Sequence, residues 1–472
     1  MHTVVNPGSA LYSIAEIELD EAVNNIVNIQ LAFNITFRYK SSYDFEKNEF
    51  FYGNKTVTEY ADFIVDVNKD SEFKDIRNLF KDYSSGSVVQ DEKMFFGRER
   101  DINEVITNIR DENNRIISNR CVCIYGQTRT GKSSLLYHIK KRLRENSDNV
   151  IVDIGDIGSI ESSQESFCYR ILSFLMSELE DYHEELASLM FNSGIEPEPD
   201  YEKLKSDNNY FSEMLRKIQR ILKRNSPDAQ IIILIDEFTY IYDWIKQNKI
   251  SEDFMKFWKA LLTNYDISAI IVGQDHMMKF INDVRFTNAF GVIRTWEVNY
   301  LSKPDACNLI TKPVSSSPDY AGSCGCTILK DAVDYLIELT SGSAYLLMNV
   351  CADFVDYLNE RHSLIGTRGH AEDFIRRSLS KFEERWFEPL FNDKIDLDSV
   401  ESVNANKELL KKIALNSAFS DGVFSDDLNL SEKENSKLQD LLERKVVERK
   451  NNKISIIVKL YAEWLRNKFG SR

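Results

Sequence analysis

The residues at 126 to 134, GQTRTGKSS, set two glycines and a lysine among four hydroxyl side chains. A polyphosphate presents closely spaced anionic oxygens and is held only where many donors converge. Gly126 and Gly131 allow the backbone to curl, so that the N–H groups of Gln127, Thr128, Arg129 and Thr130 turn inward. Lys132 opens a helix whose free N–H groups and dipole favour anions, and its ammonium supplies charge for the β and γ phosphates. The Ser133 hydroxyl is suited to ligate Mg²⁺, with Ser134 closing the stretch. The expected ligands are ATP and Mg²⁺.

A second set of residues lies about a hundred positions further on. The apolar run IIILID ends in Asp236 and Glu237. Mg²⁺ takes hard oxygen ligands and usually keeps some of its waters. Asp236, at a strand tip, can hold such a water, while Glu237 is placed to orient and deprotonate an attacking one. Strand ends often carry solvated acids, and the pair gains weight from the phosphate cradle upstream. Gln274 and Asp275 end another apolar run, IIVGQD. A polar residue there can sense the terminal phosphate and help place the water. Gln274 is the better candidate, the alternative being an ordinary polar strand end.

These residues need rigid elements to hold them. RCVCIY (120–125) reads as a buried strand feeding the glycine loop, and SSLLYHIKKRL as the helix after it. NVIVDIGD (149–156), IIILIDEF (231–238) and ISAIIVGQD (267–275) read as further strands, with helices between them. Phe167, Ile171, Phe174, Leu175 and Leu179 form one helical stripe, and Phe211, Leu215, Ile218 and Leu222 another. Continuous apolar strands alternating with helices predict a parallel sheet covered on both faces. Before about residue 88 the pattern is period two, in SIAEIELDE, IQLAFNITFRYK and TVTEYADFIVDV, with Gly53-Asn54 a candidate hairpin turn. DYSSGSVVQDE (82–92) reads as a linker. After about 300 the chain is almost wholly helical to roughly 395. Residues 401–472 read as three helices, two short strands and a closing helix in which Trp464, Leu465 and Arg466 pack.

The chain has 472 residues and a net charge of −16, so as a whole it repels nucleic acid and anionic membrane. No apolar run approaches the ~20 residues that span a bilayer. The first residues lack the charged start and apolar stretch of a signal peptide. The seven cysteines show no disulfide spacing. Cys121 and Cys123 share a strand face, and the four-ligand spacings of a zinc site are missing. Free, reduced thiols in a cytoplasmic protein are expected.

MFFGRERDI (94–102), some two dozen residues before the glycine loop, resembles the F-x-G-R-E signature of STAND and archaeal-type AAA+-like ATPases. The resemblance continues through GQTRTGKSSLL, IIILIDEF, IIVGQD, YLSKPDACNLITKPV, LTSGSAYLLMNVCADFV and ISIIVKLYAEWLRNKF, and covers about residues 90–472. The extra strand between the two acid-and-lysine motifs, and the glutamate after the aspartate, resemble the additional-strand, catalytic-glutamate branch of P-loop NTPases. The resemblance implies four parts: a small β domain (1–88), a P-loop ATPase core with a parallel sheet (89–300), a helical lid (301–395) and a winged helix (396–472). It implies that Gly97 and Arg98, with Glu99, lie near base and ribose. Where the family's lid often reads G-x-P, this chain has Gly342-Ser343-Ala344, which leaves that proline contact without a counterpart. Arg285 and Arg294 are arginine-finger candidates, against the plainer reading of solvated arginines.

By that resemblance the chain is a nucleotide-driven switch of bacterial signalling or defence, exchanging ATP and ADP and acting through self-association or a protein partner, with no membrane. The other class is an ATPase that engages DNA through the winged helix. Residues 401–472 carry a net charge of +3, from 14 Lys and Arg against 11 Asp and Glu. No recognition helix dense in Arg and Lys stands out, so DNA is the less favoured partner.

Overall fold

A computed structural model describes residues 25–44, 49–67, 73–113, 115–145, 149–207, 209–291, 293–320, 325–392, 399–417 and 422–470. The chain divides into two compact units, Met1–Lys74 and Asp75–Arg472.

In the first unit, β1 (Asn25–Asp44) and β2 (Glu49–Val67) pair antiparallel. The period-two stretches at 29–40 and 56–67 lie in these strands, whereas SIAEIELDE lies outside the described residues. The expected turn at Gly53-Asn54 is not one: those residues are inside β2, paired with Tyr39 and Arg38. The pairing instead runs on to Asp44 with Glu49. The alternation of the flanking residues extends the pairing through a dipeptide that merely tolerates a turn.

The second unit is built around a five-stranded parallel sheet. Its strands are β3 (Cys121–Tyr125), β4 (Val150–Asp156), β5 (Ile231–Asp236), β6 (Ile267–Gly273) and β7 (Ile293–Glu297). Their order is β4-β5-β6-β3-β7, which places β6 between the two strands that end in the candidate motifs. The inner strands β3, β5 and β6 are apolar at nearly every position because both faces are covered, whereas edge strand β7 (IRTWE) is largely polar. Ile231, Ile233 and Ile235 enter one core with Cys121 and Cys123, while Ile232 and Leu234 enter a second core with Val122 and Ile124. This is an α/β P-loop fold with a parallel sheet of the expected additional-strand order. Of the expected helix stripe, Phe174 is 37% exposed and lies under the Arg170 guanidinium.

Helices Lys303–Thr311, Lys330–Thr340, Ala344–Glu360 and Arg368–Ser378 form the helical region expected to serve as the lid, braced by a short parallel bridge between β8 (Thr327–Ile328) and β9 (Ile365–Gly366). The C-terminal segment has helices Ser399–Asn416, Glu432–Glu443 and Lys459–Phe469. It also has an antiparallel sheet of β10 (Val423–Phe424), β11 (Val447–Lys450) and β12 (Lys453–Ile456), in the order β10-β12-β11. The expected middle helix is thus replaced by a third, short strand and a 3₁₀ turn at Ser425–Leu428. Lid and C-terminal segment share one apolar core. Trp464 packs there as expected, stacked near Phe387 and Tyr461 and donating Nε1–H to the Phe382 carbonyl at 3.0 Å.

Residues 82–92, read from sequence as a linker, belong to a strap tied at both ends. Ile76 and Phe80 are buried in the lid core, and the Asn78 amide donates to the Ala352 carbonyl at 2.7 Å. The Val89 N–H donates to Ser134 Oγ at 2.9 Å, and His138 Nε2 lies 2.9 Å from the Val89 carbonyl oxygen. Small polar residues suggest a loop, but three buried side chains and a few backbone bonds suffice to fasten it.

Candidate functional site

The loop 126–131 leaves β3 and enters helix Lys132–Arg144 through Gly131, whose φ of 90° is left-handed. Gly126 is required for a different reason, since a Cβ there would lie 2.4 Å from the Val298 carbonyl oxygen. Lys132 is 6% exposed and donates from Nζ to the carbonyls of Gly126 (3.0 Å) and Gln127 (2.7 Å), so its ammonium lies folded against the loop. Thr130 Oγ1 donates to the Gln127 carbonyl at 2.8 Å and stiffens the same turn. Thr128 and Arg129 at the tip are half-buried. The Arg129 guanidinium turns to the lid, 4.3 Å from the centre of the Tyr345 ring.

The structure brings the two distant motifs together. The Ser133 hydroxyl lies near enough to the Asp236 carboxylate to favour its charged form, and Asp236 Oδ1 accepts the Glu237 N–H at 2.9 Å. Burial pushes the Asp236 carboxyl up, opposed by the Ser133 hydroxyl and the Lys132 charge. A cation beside it would favour the charged form. Glu237 sits at a left-handed φ of 56°, and its Oε2 accepts from Gln274 Nε2 at 2.8 Å. A hydroxyl and a carboxylate close to each other beside a helix N-terminus, with a lysine and a second carboxylate nearby, form a donor set suited to a Mg²⁺–polyphosphate.

Other candidate residues are placed elsewhere. Arg98 is 7% exposed, with Nη2 donating to the carbonyls of Thr130 (2.9 Å) and Asn299 (2.8 Å) and Nη1 paired to Asp101 at 3.0 Å. Its guanidinium braces the glycine loop from behind. Gly97 has a φ of 73° and lies so near Asp305 that a Cβ would meet that side chain at 2.5 Å. The Ser134 hydroxyl holds the strap at Val89. Arg285 is pinned between Asp283 and Glu252, and Arg294 is exposed on the edge strand β7.

Asp275, next to Gln274, binds Arg444 of the C-terminal segment, with Nε 2.8 Å from Oδ2. Burial opposes the charge on Asp275, but His276 and Arg444 hold its carboxyl well below the usual carboxylate range. Arg444 is 5% exposed, and its carbonyl accepts a hydrogen bond from the Gln127 side-chain amide. The Tyr300 hydroxyl donates to Gln127 Oε1 at 2.7 Å. Around these contacts a cavity of about 500 Å³ is lined in part by Gly126, Gln127, His276, Val298 and Arg444. Both ring nitrogens of the buried His276 lack a hydrogen-bond partner, Nδ1 standing 3.6 Å from Asp275 Oδ1. Arg444 and Tyr300 carry no signal in the sequence, because each reaches the loop only through the packing of separate elements.

Among the described residues Cys121 and Cys123 are in no disulfide and are buried, with their thiols pushed up by burial. Among the described residues no cluster of three or more His, Cys, Asp or Glu could hold a metal ion, and no helix is long and apolar enough to cross a membrane.

Residues 95–285 match the family model described as an ATPase domain predominantly from Archaea. With the loop, the sheet order and the strand-end acids, this part of the chain has the α/β P-loop ATPase fold. No curated protein sequence matches the chain. Among solved structures it is similar to the Walker-type ATPase PABY2304 of Pyrococcus abyssi, at 13% identity and a TM-score of 0.48, covering 80% of this chain and 98% of that one. The Aeropyrum pernix ORC2 protein in ADPNP–ADP complexes is similar at 9% identity and a TM-score of 0.46, covering 81% and 99%. The Thermotoga maritima RuvB Holliday junction branch migration motor follows at 11% identity and 0.36, covering 82% and 99%.

Proposed function

We propose that the chain is a Mg²⁺-dependent ATPase of STAND or AAA+-like type that works as a switch, its nucleotide state setting how the lid and a C-terminal winged helix sit on the core. The bond from Gln127 to Arg444, with Tyr300 on the same amide, carries this reading. A residue of the phosphate cradle is tied directly to the C-terminal segment. A triphosphate drawing Lys132 from the Gly126 and Gln127 carbonyls would alter the backbone of the same residue whose side chain holds Arg444.

In this proposal Gln127, Thr128, Arg129 and Thr130 surround the phosphates with their backbone, and Lys132 holds the β and γ groups. Ser133 and Asp236 would hold Mg²⁺, which when bound neutralises phosphate charge. Glu237 takes a proton from water as its oxygen attacks the γ phosphorus. The bond from that phosphorus to the bridging oxygen breaks, and ADP and phosphate leave. Gln274, now bonded to Glu237, fixes the direction of the carboxylate and limits when it can act as a base. Signalling or defence, with self-association or a protein partner as the output, is the biological setting proposed.

Calorimetric titration of ATP with Mg²⁺ tests the site. Lys132→Ala should weaken binding by about 10²-fold, the scale of losing charge-assisted bonds to phosphate. Wild-type affinity in that variant would overturn the assignment. Light scattering after size exclusion, with ATP and with ADP, tests the switch; the same mass and volume in both states would count against it.

A further inference from the structure

The tip of the glycine loop carries an arginine whose side chain turns to the helical region after the core. Arg129 adopts a φ of 64°, a left-handed conformation that strains a non-glycine residue. Its guanidinium lies over the Tyr345 ring at 4.3 Å and donates from Nη1 to the Arg385 carbonyl at 2.9 Å. Tyr345 is 9% exposed and begins helix Ala344–Glu360, whose start is capped by Ser343. Arg385 lies after the last lid helix, in the short 3₁₀ turn Glu384–Trp386 that leads toward the C-terminal segment. One side chain of the phosphate loop thus touches the first turn of a lid helix and the lid's exit.

The opposite end of the loop is held differently. Gln127 uses neutral hydrogen bonds to Tyr300 and Arg444, whereas Arg129 uses a positive charge on an aromatic face. A cation is the group a polyphosphate competes for. Arg129 also borders a polar cavity of about 700 Å³, shared with Asn349, Asp353 and Lys381, which leaves the guanidinium room to change partners.

We propose that Arg129 is a positioning residue that couples the phosphate loop to lid docking through the Tyr345 ring. With the lid seated, the ring and the Arg385 carbonyl hold the loop tip in its strained, curled form, ready for phosphate. With the lid displaced, the tip relaxes and nucleotide affinity falls. The same linkage makes bound nucleotide favour the seated lid. This rests on the nucleotide reading above and adds how the site is regulated.

The test is a double-mutant cycle read by fluorescent-ATP affinity and by KM and kcat. Arg129→Met and Tyr345→Leu should each raise Kd and KM about three- to tenfold, the span of partly desolvated cation–aromatic contacts. KM should carry more of the change than kcat, since the coupling acts through binding. The double variant should be no weaker than the weaker single, and Tyr345→Phe, which keeps the ring, should behave as wild type. Amide exchange at residues 345–349 without nucleotide should quicken in Arg129→Met, and this readout stands alone if Tyr345→Leu does not fold. If Arg129→Met weakens binding while Tyr345→Leu does not, or if exchange at 345–349 is unchanged, Arg129 serves phosphate alone and the proposal fails. Lys132→Ala run in parallel separates the two readings: unchanged ATP affinity there removes the nucleotide assignment itself.

Discussion

The C-terminal segment makes two interfaces of opposite character. Toward the lid it is apolar, with Trp464, Tyr461, Phe387 and Phe391 inside one continuous core. Toward the ATPase core it is charged. Three ion pairs cross that seam: Asp275 with Arg444 (2.8 Å), Lys279 with Asp440 (2.6 Å) and Glu297 with Lys445 (2.5 Å). Apolar area cannot be exposed without loss, whereas the two more exposed pairs, Lys279–Asp440 and Glu297–Lys445, exchange readily for water. In the proposed switch, lid and C-terminal segment would therefore move as one body and part from the core at the charged seam. The Gln127 bond lies in that seam, so the phosphate loop sits where opening would be felt.

The largest effect should follow from breaking the apolar interface. Trp464→Ala is expected to destabilise the lid with the C-terminal segment by about 3–5 kcal/mol, the usual loss for a buried aromatic. Two calorimetric transitions, or one lowered melting temperature, would report it. An unchanged melting profile would mean that the two parts do not share a core in solution.

Chemistry should respond next. Glu237→Gln should keep ATP affinity while turnover drops about 10²-fold, the scale of general-base loss. Wild-type turnover would show that another group places the water. At the seam, Arg444→Gln leaves the buried Asp275 without its charge partner. It should cost about 2 kcal/mol, as for hydrogen bonds to charged groups. Amide exchange should rise at 440–450 and at 275–279 but not at 461–465. A rise at 461–465 of the same size would erase the distinction between the interfaces. The more exposed pairs Lys279–Asp440 and Glu297–Lys445 should each matter by less than about 1 kcal/mol and weaken with salt.

A smaller, pH-dependent effect sharpens the picture within the lid. Burial opposes the charge on Asp373, but Arg376, Tyr357 and Arg377 hold its carboxyl at about 2. A depressed carboxyl stabilises the fold fully above its unfolded value and loses that contribution as pH falls toward the folded one. Asp373→Asn should therefore melt lower than wild type at neutral pH, and the gap should close between about pH 4 and pH 2. A gap independent of pH would assign the loss to packing.

The core was legible because its signals are local. Apolar runs of 5–7 residues ending in glycine or acid can only be strands buried on both faces. The glycine spacing at 126 and 131 fixes the loop on steric grounds alone. The pairing of Ser133 with Asp236 was legible in kind, since both were read as serving one metal ion. The turn at Gly53-Asn54 failed for the opposite reason: local tolerance of a turn does not compel one when pairing continues on both sides. The strap at 75–95 failed because a few anchoring residues are invisible within a polar composition.

By itself the sequence determined four of the five sheet strands, the phosphate loop, the strand-end acids and the packing of the closing helix at Trp464, each from residues within a single element. Only the tertiary structure decided the partners of charged side chains. It turned Arg98 onto the back of the loop, gave Asp275 to Arg444, locked Arg285 between two carboxylates and laid Arg129 on Tyr345. A long charged side chain reaches several ångströms in any direction at little cost. Its partner is therefore set by which elements the apolar cores bring within reach, a property no local spacing encodes.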